Sequence, residues 1–131
     1  MPSTSSPRKV PETIASASDV AVLATLNASL GAKTLGAVLK DHLADVDRLC
    51  EKLQTAGRRG QWATAAELAI DIADVSANLG FRSLTNAARS FAAATSEKVD
   101  VHTLRNGAQM VVFEYERLRL GIAVEFPDLL V

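Results

Sequence analysis

At 131 residues the chain is long enough for one domain with a single buried core, and too short for two. Hydrophobic residues make up 48% of it but aromatics only 5%, a balance that favours the close-packed aliphatic core of a helical bundle. Lys and Arg number 14 against 15 Asp and Glu, so there is no basic excess to hold nucleic acid or an anionic membrane.

No segment approaches the ~18 to 20 continuous apolar residues of a membrane span. The lone Cys50 excludes an internal disulfide, has no metal-ligand spacing and reads as an inert buried thiol. Residues 1–16, rich in Ser and Pro, read as a flexible tail without the apolar stretch of a signal peptide. A cytoplasmic protein with no cofactor and no metal is the expectation.

Along the chain, apolar residues recur at three and four rather than at two. A short helix is expected from Asp19 to Ser29, with Ser18 as N-cap and Gly31 as its end. A long second helix follows, about Lys33 to Thr55, with Leu35, Val38, Leu39, His42, Val46, Leu49 and Leu53 as its stripe. The segment Ala56-Gly57-Arg58-Arg59-Gly60 then breaks it, and the arginines complement the negative end of the helix dipole. The third helix, about Gln61 to Asn78, turns Ala65, Leu68, Ala69, Ile72, Ser76 and Leu79 inward, and Gly80 stops it. A fourth runs from about Ser83 to Thr95 with Leu84, Ala87, Ala88 and Phe91 on its inner face.

Asp100 is placed to cap a fifth helix reaching about Val124, with Val101, Leu104, Ala108, Val111, Tyr115, Leu118 and Ile122 as its stripe. Gly107 inside it costs ~1 kcal/mol relative to Ala and marks close packing. Pro127 stops any continuation and leaves 126–131 as a C-terminal tail. Short turns send successive helices back beside one another. The expected fold over 17–125 is all-α, an up-and-down antiparallel four-helix bundle with a short additional N-terminal helix.

The run Gly60 to Gly80, G-Q-W-A-T-A-A-E-L-A-I-D-I-A-D-V-S-A-N-L-G, resembles the central helix of histidine-containing phosphotransfer (HPt) domains. Gly60, Trp62, Ala69, Ile72, Leu79 and Gly80 fall on that family's framework positions. The order around the run also resembles the family: a short helix, a glycine, the segment Leu35-Gly36-Ala37-Val38-Leu39, and F-R-S-L-T-N-A-A-R-S-F after Gly80. The likeness covers roughly residues 17 to 124. Three positions depart from it. Ile70 stands where the family has its phosphoacceptor histidine, Ala73 where it has a lysine, and Asp74 where it has a glycine.

The resemblance implies a bundle that docks on the receiver domains of two-component systems. Phosphoryl transfer needs a nucleophilic nitrogen and a cation beside the phosphoryl oxygens. Ile70 has no lone pair, Ala73 brings no charge, and Asp74 adds a negative one. Helical geometry sets Ile70, Ala73, Asp74 and Ala77 on one face, opposite Ala69, Ile72 and Ser76. The expectation is therefore a non-catalytic HPt-like protein, not an enzyme. It would bind a response-regulator receiver domain or a histidine kinase through that face.

Two other readings stand beside it. A structural bundle would self-associate, as a homodimer, through the same face. An active phosphotransfer protein would use His102, whose H-T-L-R-N-G is like the family's H-T-L-K-G, although Gly107 falls one residue too late. His42 lies on an apolar stripe and reads as a core-edge histidine. Glu67, Asp71 and Asp74 lack an accompanying nucleophile and read as a solvated acidic face. Gly31-Ala32-Lys33-Thr34 lacks the rest of a phosphate-binding loop, and the arginines are scattered among acids.

Overall fold

Two glycines fix where two of the helices end. Gly60 (φ 68°) and Gly80 (φ 80°) adopt the left-handed conformation that side chains with a Cβ resist. Around each, the next N–H reaches back to close the preceding helix: Gln61 N donates to the Ala56 carbonyl at 2.9 Å, and Phe81 N to that of Ser76 at 3.1 Å. The computed structural model describes residues 17–130, so the expected N-terminal tail, 1–16, lies outside the described residues. Among them the chain is all-α. It comprises α1 (Ala17–Leu30), α2 (Ala32–Arg58), α3 (Trp62–Asn78), α4 (Arg82–Ala94), α5 (Val101–Glu125) and a final 3-10 turn, Pro127–Leu130.

α2 packs on α3, α3 on α4, α4 on α5, and α5 returns to α2, while α1 touches α2, α4 and α5. The shared core is aliphatic, built from Leu23, Leu35, Leu39, Val46, Leu53, Ile72, Leu84, Val111, Leu118 and Ile122, with Phe81 and Phe91 as its large rings. Tyr115 is buried in it, and its hydroxyl donates to the Leu43 carbonyl at 2.9 Å, tying α5 to α2. Cys50 is buried and free, and desolvation, then Asp47 and Glu116, push its thiol up to about 12. The thiolate form that reacts is therefore suppressed.

Several expected details differ. Ser18 lies inside α1 rather than capping it. Gly57 is inside α2 and buried, with Trp62 beside it, so Gly60 alone makes the break. Val38 and Val101 point outward: α2 rolls so that Leu43 and Cys50 take the inner positions, and Val101 precedes the first buried turn of α5. Asp100 does cap α5, accepting from Thr103 N at 2.8 Å. Gly107 does mark a close approach, since a Cβ there would sit 2.9 Å from Phe91 Cδ1. Within the expected C-terminal tail, Pro127–Leu130 form a 3-10 turn. Leu129 is buried, and its backbone carbonyl presses on Gly36 of α2 so closely that a Cβ there would lie 2.7 Å away.

Candidate functional site

The outer face of α3 is built by subtraction. Ala65, Ala69, Ile72, Ala73 and Ser76 turn into the core, and the exposed residues include Glu67, Ile70, Asp71, Asp74 and Ala77. Ile70 is 49% exposed near the middle of the helix. Asp74 and Ala77 are exposed one and two turns further on, and lie within about 40° of Ile70 around the helix axis.

Ala73 is not part of that face. It is 1% exposed and belongs to the core cluster, contrary to the expected grouping of Ile70, Ala73, Asp74 and Ala77. The reason is angular: residue 73 sits one turn above Ala69 and about 60° away from Ile70, on the inward side. A methyl side chain at that angle is drawn under the neighbouring helices.

The chemistry left on the face is an aliphatic side chain in an acidic frame. Among the described residues, no ion pair joins Glu67, Asp71 or Asp74 to a cation. Ile70 offers no nucleophile, and three carboxylates disfavour a phosphoryl group beside it. Such a face can make an apolar contact with a complementary, positively charged rim.

The two histidines are far apart in character. His102 is exposed in the first turn of α5, on a different helix from Ile70. His42 is buried, with its ring edge-on to Phe81 at 5.2 Å between centroids. Its Nε2 is buried without a hydrogen-bond partner among the described residues. Desolvation lowers its pKa from 6.5 to about 4, with Asp45 opposing, so the ring is neutral at pH 7. Among the described residues, no three His, Cys, Asp or Glu side chains cluster to hold a metal ion. None of the described helices is long and apolar enough to cross a membrane. No protein-family model matches this chain, no curated protein matches it, and no solved structure does.

Sequence reasoning missed one structural carboxylate. Asp19 of α1 is buried and accepts from Ser83 N at 2.8 Å and Leu84 N at 3.3 Å, so it caps α4 from across the molecule. The one local signal was an acid in the first turn of α1, which reads as a dipole partner for its own helix.

Proposed function

We propose that this chain is a non-catalytic relative of the HPt domains. In this reading α2 to α5 form an up-and-down antiparallel bundle, with α1 as the short additional helix. Support comes from the three-residue links that join α2 to α3 and α3 to α4, too short for anything but a reversal beside the preceding helix. The function proposed is that of a docking adaptor in two-component signalling, which binds a receiver domain or a histidine kinase without accepting phosphate.

One observation carries the proposal. Where the resembled family has its histidine, a large aliphatic side chain stands half-exposed at mid-helix, while Ala69, Ile72 and Ala73 beside it on α3 turn inward. An exposed Ile ringed by Glu67, Asp71 and Asp74 suits a partner with an apolar spot inside a basic rim. Ile70→Glu should weaken capture of the cognate receiver or kinase at least tenfold with the helical circular dichroism unchanged. Undiminished capture by that variant overturns the docking face.

A further inference from the structure

We propose that a cleft between the end of α2 and the start of α5 binds a small oxyanion carrying two negative charges. The cleft has a volume of about 250 Å³ and is lined by Gln54, Gly57 and Arg58 of α2 and by Arg105, Ala108 and Gln109 of α5. Its floor follows from side-chain size. Gly57 and Ala108 are buried where the two helices pass, and neither carries more than a methyl to fill the space above it. Its walls follow from helical spacing. Each helix contributes an arginine and, one turn away on the same face, a glutamine. No residue of α3 lines the cleft, so the site does not rest on the docking reading.

The charges select the ligand. Two guanidiniums share the cleft, and none of its lining residues is acidic. Among the described residues no carboxylate forms an ion pair with Arg58 or Arg105. Arg58 Nη2 donates to Thr55 Oγ1 at 3.2 Å, which leaves its other N–H groups to a ligand. The carbonyls at the negative end of α2, which would repel an anion, are engaged by N–H groups. That of Thr55 accepts from Arg59 N at 3.1 Å, that of Ala56 from Gln61 N at 2.9 Å and that of Gly57 from Gly60 N at 3.2 Å. Two positive forks and two carboxamides then surround one space, a donor set that grips phosphate or carboxylate oxygens in pairs. A single negative charge would leave one guanidinium uncompensated, so a dianion fits best. The volume lies below the ~300–1,000 Å³ of ordinary ligand pockets, which limits the ligand to the size of inorganic phosphate or a short dicarboxylate.

The amide chemical shifts of Gly57 and Ala108 test this in titrations with inorganic phosphate and with succinate, at an ionic strength held constant with sodium chloride. A saturable shift at both amides is expected, and the tighter of the two anions assigns a phosphoryl or a dicarboxylate ligand. Arg58→Gln and Arg105→Gln should each raise the dissociation constant at least tenfold with helicity unchanged. Gln109→Glu, which brings a carboxylate into the cleft, should do the same. Arg59→Gln removes an equal charge outside the lining and should change binding less than twofold. No saturable shift with either anion, the same response to chloride alone, undiminished binding in both Arg58→Gln and Arg105→Gln, or a loss in Arg59→Gln as large as theirs would each overturn the proposal.

Discussion

Asp19 and Ser83 are 64 residues apart in sequence, yet the carboxylate of the first accepts the backbone N–H of the second at 2.8 Å. α4 has no side-chain cap of its own at Phe81, so α1 supplies one from outside. Removing it leaves the Ser83 and Leu84 N–H groups without their acceptor. Asp19→Ala should therefore cost about 1–3 kcal/mol by urea unfolding, and Asp19→Asn distinctly less, because an amide oxygen still caps. Equal losses for the two variants would show that packing of α1, not capping, is what Asp19 supplies.

His42 makes stability depend on pH. Its folded pKa of about 4 lies below the ordinary 6.5, so the native state binds fewer protons than the unfolded chain between those values. Its contribution is complete above pH 6.5 and is lost as pH falls toward 4, on the order of 3 kcal/mol in all. Asp19 acts in the opposite sense. Burial raises its pKa above 3.8, so its contribution is present below that value and is lost as pH rises through the folded pKa. The His42 slope should thus appear most cleanly in an Asp19→Asn background, and His42→Leu should flatten it there. A slope unchanged by His42→Leu would assign the titration to another group.

The three-and-four spacing of apolar residues was enough to locate every helix to within a few positions, and the short Asp100–Thr103 cap was legible because both partners are local. What stayed hidden depends on distance or on residues without directional preference. Alanine fits either side of a helix, so nothing in the sequence alone turned Ala73 inward. Asp19 finds its partners only once α1 lies across α4. Pro127 announces the end of α5 but not that Leu129 folds back on α2. On α5, apolar residues on two faces blurred the single stripe that sequence reading looks for.

Two glycines of α2 should respond to alanine with opposite signs. At Gly36 a Cβ would meet the Leu129 carbonyl oxygen at 2.7 Å, a backbone group that cannot swing aside. The clash should exceed the ~1 kcal/mol gained in helix propensity, leaving Gly36→Ala destabilised by about 1–2 kcal/mol and the C-terminal turn dislodged. At Gly57 the nearest atom is Trp62 Cζ3 at 3.7 Å, an ordinary contact. Gly57→Ala should then stabilise by up to ~1 kcal/mol. Amide exchange at Leu129 reads the difference directly: its N–H, which donates to the Phe126 carbonyl at 3.1 Å, should lose protection in the first variant only.

The wild-type chain, incubated with a phosphorylated receiver, should take up no acid-labile label, and His102→Ala should change nothing. Label that vanishes in His102→Ala would establish a phosphoacceptor in the first turn of α5. Restoring chemistry at α3 requires more than a histidine. Ile70→His would place an imidazole on an exposed position but among three carboxylates, with no cation to offset phosphoryl charge. The resembled family's lysine position offers no remedy, because Ala73 is in the core and Ala73→Lys would overpack it by about 1–3 kcal/mol. Asp74 is exposed one turn beyond Ile70 on the same face. The double variant Ile70→His with Asp74→Lys should therefore accept label at least tenfold faster than Ile70→His alone. Equal rates for the two would show that the acidic frame of α3 does not control access of phosphate to that position.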